Sequence, residues 1–128
     1  MKLLLDTHAF LWFLLNDDRL SNDAQSLIAT PENDLLLSSA SCWEIAIKIS
    51  LGKYSLGESL ETFLTREIVE NRLTMLPITV KHVSVVAELP FHHRDPFDRL
   101  LIAQAISEQI PILSADAVFD LYQVARIW

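Results

Sequence analysis

The sequence predicts an α/β domain in which a short, mainly parallel sheet is flanked by helices. Three observations carry that expectation. Short apolar runs alternate with longer segments of helical period, the pattern of strands buried on both faces beneath covering helices. Two of those runs, ending at Asp6 and just before Asp116, place an acid at a strand's carboxyl end, where open parallel sheets bind ligands. The chain of 128 residues holds two glycines, five prolines and no repeat or low-complexity linker, so residues 1–128 read as a single domain.

The elements follow in order. Residues 2–6 form a first buried strand, which Asp6 cuts off too early for a signal peptide. A helix follows through Phe10, Leu11, Leu14 and Leu15. Ser21 or Asn22 caps a second helix through Leu27 and Ile28. Leu35-Leu36-Leu37-Ser38 is a strand. Ser41 starts a helix with Trp43, Ile47 and Leu51 at i, i+4 and i+8, stopped by Gly52. A helix over about 59–71 carries Leu60, Phe63, Leu64 and Ile68 on one face. Met75 to Ile78 is a strand, and Val80, Val83, Val86 and Ala87 mark a short helix. Asp95-Pro96 opens another helix, with an acid at the N-cap and proline in the first turn, running to about Glu108. Pro111 to Ser114 and Gln123 to Ile127 are the last strands.

Composition excludes several classes. Hydrophobic residues make up 51% and charged residues 21%, so the chain is globular rather than disordered. No apolar run approaches the length of about 18 residues that a membrane-spanning helix needs. The single cysteine, Cys42, allows no internal disulfide, which fits a reducing cytoplasm, and suits a small buried hydrophobe. The net charge of −7 argues against a protein that grips any nucleic acid through a basic face. It leaves room for phosphodiester chemistry in which metal ions meet the phosphates.

Four carboxylates, Asp6, Glu44, Asp98 and Asp116, stand at the edges of apolar segments without an obvious basic partner. Each has a structural alternative. Asp6 suits an N-cap. Glu44 fits a Ser41-Cys42-Trp43-Glu44 capping box and an i, i+4 pair with Lys48. Asp95 suits the cap of its helix, which leaves Asp98 in a first turn favoured by the helix dipole. Asp116 suits a turn. As a set they point elsewhere. Two carboxylates about 4 Å apart repel by about 4 kcal/mol at an effective dielectric of 20, a heavy load on a domain stable by about 5–15 kcal/mol. Oxygen-rich anionic pockets suit Mg²⁺ or Mn²⁺, which activate water and stabilise charge on phosphodiesters. His8, His82, His92 and His93 lack zinc-site spacing, and His92-His93-Arg94 reads as a polar loop beside the site. There is no P-loop, G-x-S-x-G or G-x-G-x-x-G.

The runs Leu5-Asp6-Thr7-His8-Ala9-Phe10-Leu11-Trp12, Ser41-Cys42-Trp43-Glu44-Ile45-Ala46-Ile47-Lys48 and His93-Arg94-Asp95-Pro96-Phe97-Asp98-Arg99-Leu100-Leu101-Ile102-Ala103-Gln104-Ala105 resemble the PIN-domain ribonucleases of the VapC toxin type. Ser114-Ala115-Asp116 and Phe119-Asp120 extend the resemblance to nearly the whole chain. It implies a PIN-like three-layer α/β/α domain that cleaves RNA endonucleolytically as the toxin of a type II toxin–antitoxin pair. It also implies Mg²⁺ or Mn²⁺ held by Asp6, Glu44, Asp98 and Asp116, with Asp6, Asp98 and Asp116 direct ligands and Glu44 a ligand or orienter of the attacking water. Products would carry a 5′-phosphate and a 3′-hydroxyl. Ser114 falls where the family has a serine or threonine, Thr7 is a possible support, and Asp95 is a cap first and a possible ligand second. The partners implied are RNA, a small antitoxin covering an apolar groove, and a second copy in a homodimer, with no membrane.

Lys48 and Arg99 suit either phosphate contacts or surface pairing with acids. The rival class is a catalytically silent PIN-like interaction module with Trp12, Phe13 and Tyr54 as its contact set. A phosphohydrolase of the haloacid dehalogenase kind is disfavoured, because His8 stands where that chemistry needs a second aspartate.

Overall fold

Leu3, Leu4 and Leu5 expose no surface, and the sheet is built around them. A computed structural model describes residues 1–128. β1 (Lys2–Leu5) pairs in parallel with β2 (Asp34–Ser38). Beyond β2 lies β3 (Thr74–Leu76). On the other flank of β1 come β4 (Ile112–Leu113) and then β5 (Arg126–Ile127). Every pairing is parallel, in the order β3-β2-β1-β4-β5.

The period-two alternation of a strand divides these leucines between two cores. Leu3, Leu5, Leu35, Leu37 and Leu113 meet one layer, to which α1 (Thr7–Leu14), α2 (Asn22–Ala29), α3 (Ser39–Ser50) and α4 (Leu60–Glu70) contribute. Leu4, Leu36, Leu76 and Ile112 meet the other, under α5 (Val80–Glu88) and α6 (Pro96–Glu108). The result is the expected α/β/α arrangement. Each fully buried leucine stabilises the fold by about 1.5–3 kcal/mol.

Several boundaries differ from expectation. Helix α3 begins at Ser39, with Ser38 as its cap, accepting the Ala40 N–H at 3.0 Å. Ser41 therefore lies inside the helix, buried, and no capping box with Glu44 forms. The face of α3 turned inward carries Ala40, Ser41, Glu44 and Ile45, while Trp43 and Leu51 are exposed. The expected stripe of Trp43, Ile47 and Leu51 is therefore not the buried face, which small and polar residues supply instead. The third strand ends at Leu76, where Pro77 offers no N–H to continue the ladder. The last two strands are two residues each, joined through a 3₁₀ turn over Ala117–Leu121. Gly52 takes a left-handed φ of 75° just past α3, as its role as a stop required. No helix is long and apolar enough to cross a membrane.

Candidate active site

The chain leaves β1 toward β2 on one side and returns through β4 on the other, so the sheet's switch point lies between β1 and β4. Asp6 directly follows β1 and also caps α1, its Oδ1 accepting the Ala9 N–H at 2.6 Å. The strand-end position and the expected cap are both observed. Burial pushes the Asp6 carboxyl above its ordinary range; the Ser114 hydroxyl, the Ala9 N–H and His8 pull it back, and Glu44 opposes them. Ser114, fully buried after β4, accepts the Asp116 N–H at 3.1 Å and so ties the last acid to the same edge. Asp116 itself is exposed and caps the 3₁₀ turn through the Val118 N–H at 3.0 Å.

Glu44 reaches the site from α3 and is buried. Thr7 donates to its Oε1 at 2.7 Å, and the Thr7 hydroxyl lies 3.0 Å from that of Ser41. Its Oε2 meets Lys48 Nζ at 3.2 Å, the i, i+4 pair expected from spacing. A buried carboxylate is tolerated only with such partners.

Asp98 sits in the first turn of α6, beneath the cap formed by Asp95, whose Oδ1 accepts the Phe97 and Asp98 N–H groups at 2.9 and 3.0 Å. Burial, then the negative charges of Asp95, Glu44, Asp6 and Asp116, push the Asp98 carboxyl up to about 7. Those four repulsions gather all the expected acids, and Asp95, into one electrostatic field. No three His, Cys, Asp or Glu side chains converge into a ready-made cage. The donor set is nonetheless chemically suited to a hard cation. It is oxygen-rich and anionic, Lys48 on Glu44 is the only Lys or Arg paired with any of its acids, and Asp98 bears uncompensated repulsion.

Arg99 departs from both expected roles. It is buried, donating to Pro90 O at 2.8 Å, Leu89 O at 3.2 Å and the Tyr122 hydroxyl at 3.2 Å, so it pins a loop instead of facing phosphate or pairing with an acid. His93 does lie beside the site, with Nε2 3.4 Å from Asp98 Oδ2. That contact is too poorly aligned to be a hydrogen bond, which leaves Nε2 without a partner. Tyr122 was not anticipated. Only the polar run His92-His93-Arg94 ahead of the Asp95 cap hinted at this cluster. Among the expected contact aromatics, Trp12 packs edge-on against Trp128 and under Arg19, and Phe13 and Tyr54 are half-buried; Trp43, outside that set and edge-on to Phe97, is more exposed.

A family model described as the PIN domain matches residues 3–125, and the chain belongs to that family. PIN domains are generally nucleases, and those nucleases generally use divalent metals. Structures with the same fold include VapBC2 from Rickettsia felis, bound to a DNA fragment from their promoter, at a TM-score of 0.75 and 18% identity, covering 100% of this chain and 99% of that one. FitAcB from Neisseria gonorrhoeae gives 0.66 and 18%, covering 98% and 96%. VapBC-1 from nontypeable Haemophilus influenzae gives 0.68 and 15%, covering 99% and 97%. No curated protein is a significant sequence match.

Proposed function

We propose that this chain is a Mg²⁺- or Mn²⁺-dependent endoribonuclease, the toxin of a toxin–antitoxin pair acting in the cytoplasm. The observation that supports this reading most is that the negative charges of Asp6, Glu44, Asp95 and Asp116 all act on the half-buried Asp98, near the carboxyl edge of the sheet. Asp6, Asp98 and Asp116 hold the cation, and Glu44 joins them or orients the attacking water. When bound, the cation lowers the pKa of a water and offsets charge on the phosphodiester. The protein's own part is orientation. The Ala9 N–H fixes Asp6, and Thr7 fixes one oxygen of Glu44. Lys48 sits on the other oxygen.

RNA as substrate rests on the family resemblance, and the net charge of −7 fits recognition of RNA shape over general polyanion binding. An antitoxin tail would cover the apolar groove of about 260 Å³ between α1, Tyr54, Leu56 and Phe63, and present a basic side chain to the acids. A homodimer belongs to the same reading. The Lys48–Glu44 pair and the lack of a converged cage favour the silent interaction module as the second reading.

One experiment separates them. Purified protein is given RNA and Mn²⁺, beside Asp6→Asn and Asp98→Asn variants with confirmed folding. Cleavage by the parent and loss in both variants support the nuclease. Cleavage retained by the variants overturns the site, and no cleavage or thermal stabilisation by Mn²⁺ in the parent favours the module.

A further inference from the structure

His93 lies outside the acid set yet is fixed toward it by residues distant in sequence. Its Nδ1 is 2.7 Å from the Tyr122 hydroxyl. That same hydroxyl oxygen accepts the His93 backbone N–H at 3.3 Å and Arg99 Nη1 at 3.2 Å. A backbone amide and a guanidinium have no acceptor, so both must donate, and the single phenolic proton is left for Nδ1. An imidazole that accepts at Nδ1 carries its own proton on Nε2. Arg99 is in turn held by Pro90 O and Leu89 O and lies over the Phe91 ring at 4.2 Å, so the Tyr122 hydroxyl has little freedom to change partners. The outcome is an Nε2–H, enclosed and without a hydrogen-bond partner, 3.4 Å from Asp98 Oδ2.

We propose that His93 is a positioning residue for Asp98: its Nε2–H faces Oδ2 at 3.4 Å and attracts that oxygen electrostatically, closing to a hydrogen bond when the carboxylate turns its other oxygen to the cation, while Tyr122 and Arg99 set the tautomer of the ring. The proposal rests on the reading of Asp98 as a cation ligand. Ligating carboxylates are themselves held by hydrogen bonds, and losing such a partner weakens metal binding by about 10–100-fold. Direct ligation by His93 is disfavoured, because the nitrogen that faces the acids bears the proton.

The test uses the full chain slightly above neutral pH. Ring-nitrogen NMR should show His93 as the Nε2–H tautomer, and Tyr122→Phe should move it toward Nδ1–H. Calorimetry with Mn²⁺ alone should show His93→Ala binding about 10–100-fold more weakly than the parent. His93→Gln, whose amide nitrogen occupies the Nε2 position, should recover most of that loss, and His93→Asn should not. A parent ring protonated on Nδ1 overturns the proposal. So does unchanged Mn²⁺ affinity in His93→Ala while Asp98→Asn has lost it, an outcome that leaves the metal site standing. Undiminished Mn²⁺ binding in Asp98→Asn overturns the metal-site reading instead, whatever the tautomer.

Discussion

Asp98 is folded into surroundings that disfavour its charge, and this has consequences for stability that do not depend on any substrate. In the unfolded chain its carboxyl returns to the ordinary value of 3.8, whereas in the folded protein it stands near 7. Between those values the folded protein keeps a proton that the unfolded chain has released. Without divalent cations, the contribution of Asp98 is therefore most favourable below about pH 4, declines as pH rises through the window, and levels off above about 7. The rise from 3.8 to about 7 bounds the effect at about 4 kcal/mol, and solvent reaching the half-buried carboxyl reduces it to about 2 kcal/mol. Asp98→Asn should accordingly raise the melting temperature of the EDTA-treated protein above neutral pH by several degrees, while lowering RNA cleavage by about 10²-fold or more. A variant that melts at or below the parent temperature in EDTA would contradict the charge argument. The acids themselves were legible because carboxylates bordering apolar runs are rare. The His93–Tyr122 pair was not, since its members are 29 residues apart and neither disturbs a local pattern.

Helix ends show why some boundaries could be read and others not. Asp95-Pro96 carries its cap and its first turn in adjacent residues, and the observed helix starts there. Ser41 was the expected start of α3, whereas the observed cap is Ser38, three residues earlier and of the same chemistry. Tertiary contact chose Ser38, whose hydroxyl also donates to the buried Gln104 Oε1 at 2.5 Å and so links the base of α3 to α6. These are the helices that carry Glu44 and Asp98. Gln104→Ala should leave the Ser38 hydroxyl buried with one bond fewer and destabilise the fold by about 1–3 kcal/mol, read as a lower denaturation midpoint. Asp95 separates capping from ligation. Asp95→Ala should cost about 0.5–2 kcal/mol of stability, and Asp95→Asn, which caps nearly as well, close to none. Both should retain Mn²⁺-dependent cleavage, and loss of cleavage in a stable Asp95→Asn protein would make this acid a ligand.

At the level of the whole molecule, alternating apolar strands and helices were enough to predict a covered parallel sheet, but not its order. The placement of β4 beside β1 joins segments more than a hundred residues apart through strands of only two residues, too short to announce themselves. Yet that pairing creates the switch point and brings Asp116 and Ser114 to Asp6. A chain with net charge −7 that folds several acids onto one edge is stabilised by whatever neutralises them. If the neutralising species is a divalent cation, saturation at a hundred times its dissociation constant should add about 2.7 kcal/mol, or about 10 °C in melting temperature for a domain of this size. The gain must also depend on pH in a direction opposite to that of Asp98 alone. Below about 7 a proton competes for the Asp98 carboxyl, so Mn²⁺ should bind more weakly and stabilise less as pH falls toward 5. Thermal melts with Mn²⁺ or EDTA across that range measure the difference directly. A cation effect that is flat with pH, or that survives in Asp98→Asn, would place the bound ion away from these acids.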